Sequence, residues 1–292
     1  MSSLKELRGR IKSIRSTQKI TAAMKMVAAS RLRKSQEKAE TIRPYSHKLS
    51  RMIGNILSQD IQLESPSILQ VGGEGSHLVL VMSAARGLCG SYNSLIMKET
   101  KRFVKELQDT NQPFCVAVIG HKGFDLLSRY YQEQFLYLKK EELTLKEGPT
   151  YKWAERIAEQ ILHWLQSGKV GKVTVITGHF KSALVHEVCP TSLVPLQDLV
   201  EHQDHMSFPY ILMEPEPEEL LSGLLRKNLC IQIYRMMLEN IACEQASRMA
   251  AMESATRNAQ QMIQKLQLSY NQTRQAHITN ELIEIVSGAE AS

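Results

Sequence analysis

The residues most able to do chemistry in this 292-residue chain lie in two short stretches. Arg86-Gly87-Leu88-Cys89-Gly90 follows an apolar run and reads as a strand-to-helix turn, a place where phosphate loops and nucleophile elbows are found. It is not G-x-G-x-x-G, it lacks G-K-[ST], and no serine stands between glycines, so neither a phosphate cradle nor a serine elbow is spelled out. Cys89 could serve as a thiolate at a helix start, but a tight turn around a buried thiol explains it more simply. His202-Gln203-Asp204-His205 could donate metal ligands, yet no further Cys or His cluster joins it, and a solvated loop is the better reading. Cys89, Cys115, Cys189, Cys230 and Cys243 are odd in number and form no C-x-x-C pair, so buried reduced thiols are expected, with neither a disulfide framework nor a zinc site. The expectation is no catalytic residue, no cofactor and no metal.

The elements around these residues alternate. His77 to Ala85 reads as a buried strand, Tyr92 to Gln108 as a helix and Phe114 to Ile119 as a second strand. A short helix to Tyr131 follows, then a possible strand at Gln134–Leu138 and an amphipathic helix from Thr150 to Gln166. Lys172 to Thr177 is a strand, with further candidates at Leu184–Val188 and Tyr210–Met213. This order predicts a Rossmann-like α/β domain over a mostly parallel sheet, spanning 76–208 after a Pro/Gly/Ser-rich linker at Ser65–Gly75.

Two long helices flank that domain, at 1–58 and 218–288. In the first, Leu4, Leu7, Ile11, Ile14 and their successors to Ile53 and Ile56 follow a 3.5-residue spacing. Ile20, Ala23, Met24, Val27 and Ala28 add a second stripe, which implies a second neighbour. Pro44 should kink the helix or end it locally. In the second, the same spacing runs from Ile231 through Leu238, Gln245, Arg248, Met252, Ala259, Met262 and Ser269 to Ile283. The first helix enters the α/β domain and the second leaves it, so paired side by side they form an antiparallel coiled coil. The second helix overhangs by up to about 20 Å. Ile278, Leu282, Ile283, Ile285 and Val286 lie on that overhang, and so apolar a face needs a socket on another protein.

Residues 1–58 hold fourteen Lys or Arg against three acids, a net +11, which leaves about −5 for the rest of a chain whose total is +6. Nucleic acid could take up such a basic helix, but its apolar seam asks for a protein and it has almost no aromatic residues to stack on bases. No apolar run approaches a membrane span, and the amphipathic start has no apolar region of a signal peptide, as in a mature protein facing the cytoplasm.

Gln18-Lys19-Ile20-Thr21 followed by Ala23-Met24-Lys25-Met26-Val27-Ala28-Ala29-Ser30 closely resembles the N-terminal signature of the gamma subunits of bacterial F-type ATP synthases. The resemblance continues at Arg86-Gly87-Leu88-Cys89-Gly90, at Glu239-Asn240 with Glu244-Gln245-Ala246, and at Arg248-Met249-Ala250-Ala251-Met252. It ends with Tyr270-Asn271, Arg274-Gln275-Ala276, Ile278-Thr279 and Glu281-Leu282 to Gly288. The family usually has an acid at Ala85, a glycine at Ser91 and a small serine-like residue at Cys243. The resemblance implies a non-catalytic rotor shaft of a proton-translocating complex. Such a shaft couples rotation of the membrane c ring to ATP synthesis or hydrolysis at the beta subunits. The implied partners are the alpha and beta subunits, epsilon and the c ring, and the implied location is peripheral, on the cytoplasmic side of the inner membrane. By matching motif, Arg248, Gln275 and Thr279 would contact beta, with Met24 in the same neck and Glu214 near the c ring, while Ile283 belongs to the socketed tip. The alternative is a Rossmann-like enzyme with a coiled-coil dimerisation arm.

Overall fold

The computed structural model describes residues 4–57, 75–138, 148–180, 186–196, 214 and 216–290. Nine elements follow in order: α1 (Leu4–Leu57), β1 (Ser76–Met82), α2 (Tyr92–Asp109), β2 (Phe114–Ile119), α3 (His121–Tyr130), α4 (Tyr151–Gln166), β3 (Val170–Phe180), β4 (His186–Val194) and α5 (Pro217–Glu290). The chain divides into two compact units, one of Met1–Ala29 with Arg248–Ser292, the other of Ser30–Ser247.

In the larger unit a four-stranded sheet has the order β2-β1-β3-β4. β1 pairs parallel with β2 and with β3, while β4 runs antiparallel to β3, so the sheet is mixed. Strand β1 is a nearly unbroken apolar run because both of its faces are covered. Leu78, Leu80 and Met82 point to one face, where Ala154, Ile157, Ala158 and Ile161 of α4 meet Leu229, Ile233 and Met237 of α5. Val79 and Val81 point to the other, against Tyr92, Ile96 and Val104 of α2 and Leu127 of α3. Helices α2 and α4 form because their buried residues recur at spacings of three and four, which places one apolar stripe on the sheet.

Several expectations change here. Gln134–Leu138 is not a strand: Phe135 makes one isolated parallel bridge to Val116. Two backbone bonds tie the segment to Val116 of β2, and Phe135 and Tyr137 meet Phe124 edge-on instead of extending the sheet. β1 stops at Met82, short of Ala85, and β3 is longer than Lys172–Thr177. α1 does not end at Pro44. Leu49, Ile53 and Ile56 beyond it pack against Leu221, Leu224 and Leu225 of α5, which outweighs the one backbone bond that proline removes. Tyr210–Met213, His202–His205 and the linker up to Glu74 lie outside the described residues.

In the smaller unit the two helices run antiparallel, since partner numbers fall on one as they rise on the other. Arg8 Nη2 donates to Tyr270 Oη (3.2 Å) and Gln18 Nε2 to Gln260 Oε1 (2.6 Å). The hydroxyls of Thr21 and Thr256 meet at 2.7 Å, and Lys25 pairs with Glu253 at 3.3 Å. Every expected seam position of α1 is buried or half-buried. On α5 the expected positions Met252, Ala255, Ala259, Leu266 and Thr273 are buried or half-buried, but Met262 and Ser269 are exposed, and Thr256, Ile263 and Tyr270 turn inward beside them after a change of phase past Met252. Two successive four-residue steps, Arg248 to Met252 to Thr256, amount to a stutter, which a strict alternation of three and four misses. Of the second stripe on α1, Ile20 and Val27 are exposed. Thr273 is the last half-buried residue of α5, and all described side chains from Arg274 to Ser287 are exposed, about 20 Å of helix.

Ser83 ties the sheet to α3. Its hydroxyl accepts from Gly123 N at 2.9 Å and lies 3.1 Å from the carbonyls of Ile119 and Gly120. A Cβ on Gly123 would sit 2.5 Å from Ser83 Oγ and 2.8 Å from its Cβ. Gly123→Ala should therefore lower the stability of this unit by about 1–3 kcal/mol through overpacking. The shift in urea midpoint, followed by the fluorescence of Trp153 and Trp164 on α4, measures it.

Candidate functional site

Open α/β sheets take ligands in the crevice outside the carboxyl ends of the strands, where the direction of winding reverses. Here the reversal falls between β1 and β3, with α2 and α3 on one face of the sheet and α4 on the other. The crevice is filled by α5. Tyr92 Oη, fully buried at the start of α2, donates to Asn240 Oδ1 at 2.5 Å, and Thr177 Oγ1 donates to the same oxygen at 3.5 Å. Ser247 Oγ donates to the Cys89 carbonyl at 2.7 Å. A Cβ on Gly178 would lie 2.8 Å from Tyr92 Oη and 2.9 Å from Cys243 Cβ, so only a glycine lets strand and helix come this close. Asn240, Cys243 and Ser247 are three and four residues apart and share one face of α5.

The turn that invited a nucleophile or phosphate reading is thus a packing element. Leu88 and Gly90 both have positive φ there, and Asn93 braces it, accepting from Ala84 N (3.1 Å) and donating to Cys89 Sγ (3.2 Å). Burial pushes the Tyr92 phenol well above its ordinary value. Burial also pushes the Cys115 thiol up to about 11 and the Cys243 thiol up to about 12, and it raises Cys230. At the rim of the crevice Glu239 takes a hydrogen bond from Arg235 Nε at 3.1 Å and lies 3.3 Å from His179 Nδ1. Burial alone would raise this carboxyl, but His179 and Arg235 outweigh it and hold it below its ordinary value.

A cleft of about 220 Å³ opens beside this packing, lined by Arg31, Lys34, Lys38 and Arg86 with buried Glu244 and Gln245 below. Its cations suit an acidic ligand or an acidic protein segment. Among the described residues no group of three or more His, Cys, Asp or Glu could hold a metal ion, and no helix is long and apolar enough to cross a membrane.

The six residues singled out from sequence are dispersed. Met24 is half-buried on α1, Arg248 is buried on α5, and Glu214 is exposed ahead of α5. Gln275, Thr279 and Ile283 recur every fourth residue on the exposed end of α5, where Thr279 Oγ1 donates to the Gln275 carbonyl at 2.9 Å. The crevice residues Tyr92, Gly178 and Asn240 were not foreseen. One signal pointed to them: from Asn228 to Ser247 only Arg235, Glu239 and Glu244 are charged, too few for a helix with a solvent face.

A sequence profile of the family described as ATP synthase matches residues 3–291. The chain is 43% identical over 301 residues to the ATP synthase gamma chain of Rhodospirillum rubrum, and 40% identical over 295 residues to that of Pelagibacter ubique, in both cases over 100% of each chain. Among solved structures it resembles a chain of the Tetrahymena thermophila mitochondrial ATP synthase central stalk and c-ring (27% identity, TM-score 0.58, 81% of this chain and 99% of that one). It shares a fold with a chain of the Euglena gracilis mitochondrial ATP synthase in a structure of OSCP, F1 and c-ring (18% identity, TM-score 0.64, 99% and 94% covered).

Cys89, Cys115, Cys230 and Cys243 are buried, and Cys189 on β4 is half-buried. Near neutral pH a thiol reagent should modify Cys189 alone in the native chain and all five after unfolding in guanidinium. Thiol titration under the two conditions, with mass mapping of the native product, checks this.

Proposed function

The chain belongs to the ATP synthase gamma-chain family, and we propose that it is the central rotor shaft of a proton-translocating F-type ATP synthase. It is a non-catalytic subunit that couples rotation of the membrane c ring to ATP synthesis or hydrolysis at the catalytic beta subunits. The observation that carries this reading is the bare end of α5. Ile278, Leu282, Ile283, Ile285 and Val286 are between 44% and 68% exposed on a helix that α1 no longer accompanies. Apolar side chains in such a row need cover. A ring of alpha and beta subunits around the helix end supplies a socket, and an apolar lining without fixed hydrogen bonds lets the end turn within it.

The remaining contacts follow the same logic. Residues 1–58 and 218–288 are the antiparallel coiled-coil shaft, and 76–208 is a Rossmann-like domain that sits on the c ring beside epsilon, with Glu214 near the ring. Gln275 and Thr279 hold exposed polar groups just before the apolar tip, placed to exchange hydrogen bonds with successive beta subunits. Met24 and Arg248 mark the neck, and the cations of the cleft beside Arg86 suit acidic segments of the same subunits. Location is peripheral, on the cytoplasmic face of the inner membrane. The crevice packed with α5 favours this reading over an enzyme with a dimerisation arm, because a nucleotide would have to displace Asn240 and Cys243.

Co-expression with alpha and beta subunits and the membrane sector tests the proposal. Vesicles with the full chain should pump protons on addition of ATP, and those without it should not; pumping without the chain overturns the reading. A chain cut after Gln275 should bind the alpha–beta ring at least about tenfold more weakly, because five apolar side chains lose their socket. Undiminished affinity in a pull-down titration would remove the tip from the contacts.

A further inference from the structure

Most of the contact between α5 and the sheet is made by aliphatic and methionine side chains such as Leu229, Ile233, Met236 and Met237. Such contacts hold two elements together but have no direction, so they resist rotation of a helix about its own axis only weakly. The contacts in the crevice are of another kind. Tyr92 Oη and Asn240 Oδ1 are 2.5 Å apart with both residues buried, so turning Asn240 away would break a directional hydrogen bond out of reach of water. Gly178 admits the Cys243 side chain within ordinary contact distance only because it has none of its own, and any turn of α5 would bring a different side chain into that slot. One turn earlier Glu239 is held from two sides, by His179 of β3 and by Arg235. α5 continues without interruption from this point to Glu290.

We infer that Tyr92, Gly178 and Asn240 form a key that locks α5 against rotation relative to the sheet, making them positioning residues for torque transfer between the α/β unit and the long helix. This rests on the rotor reading above. The aliphatic contacts supply adhesion, and the key supplies the resistance to twist. Without it the α/β unit and the helix still associate, but part of each rotation is lost as twist at the joint, and the loss grows with the opposing load.

The test uses the whole complex in membrane vesicles, carrying Gly178→Ala, Asn240→Leu, Tyr92→Phe or, as a control in the non-directional contact, Met236→Leu. ATP hydrolysis and proton pumping are read from the same sample, with and without an opposing proton gradient. Hydrolysis should stay within about twofold of wild type, while protons pumped per ATP fall on the order of threefold for Gly178→Ala and Asn240→Leu, and less for Tyr92→Phe. The deficit should widen as the gradient steepens, and Met236→Leu should match wild type. A purely structural role would lower the amount of assembled complex but leave the ratio of what assembles unchanged, and that result overturns the proposal. An equal deficit in Met236→Leu also overturns it. If Gly178→Ala and Asn240→Leu fail to assemble, Tyr92→Phe decides, since it removes only the hydroxyl and keeps the ring. A ratio equal to wild type against the steepest gradient then sinks the key. Failure of the wild-type chain itself to support pumping would instead refute the rotor reading.

Discussion

The burial of α5 in the crevice of the sheet is the constraint from which the rest of the larger unit follows. Between Asn228 and Ser247 the helix is covered on nearly every side: the sheet and α4 lie on one flank, Tyr92 and the turn at Cys89 meet it at the strand ends, and α1 closes it at Leu32, Ala242 and Ala246. Each group around it is shaped by that occupant. Gly178 must lack a side chain, Cys243 and Ser247 must be small, and Tyr92 must reach a polar atom on the helix because its hydroxyl has left water. A site that could have received a phosphate has become the bed of a helix.

The smaller unit solves a different problem, that of keeping two helices in one register with little apolar area between them. Its seam is thin, with Leu7, Ala28, Met252, Ala259 and Ile263 as its buried apolar residues. Polar layers at Gln18–Gln260 and Thr21–Thr256 interrupt it, and each is satisfied across the pair. The Thr21–Thr256 layer gives up some stability and in return penalises a slipped register, which would leave the buried Thr21 hydroxyl against an apolar neighbour, while the more exposed Gln18–Gln260 pair adds only a matched contact. The exposed pair Lys25–Glu253 adds little to stability by comparison.

Charge distribution separates adhesion from steering. The basic residues of α1 are mostly exposed, and those near Arg86 gather in a cleft, so they cost little desolvation and set a positive field at the surface. Of the carboxylates on α5 that are buried or half-buried, Glu239 and Glu244 lie instead where the helix meets the rest of its own unit, and Glu253 faces Lys25 of α1. The first set shapes the surface field, and the second serves the fold.

Much was legible in the order of residues alone. The 3.5-residue period named both long helices, the alternation of apolar runs and amphipathic segments named the sheet, and the density of motifs over both termini named the family. These are local properties, set by side-chain periodicity and backbone propensity, and they survive whatever the chain packs against. What tertiary structure decided is where neighbours lie. The phase change after Met252 depends on which face α1 presents; the persistence of α1 through Pro44 depends on Leu49 and Ile53 finding Leu221 and Leu225; the bridge at Phe135 depends on Phe124 competing with a strand partner. The key of Tyr92, Gly178 and Asn240 joins residues up to 148 positions apart, and no local pattern records it, because a glycine, a phenol and an amide acquire their roles only when a helix from the far end of the chain fills the space between them.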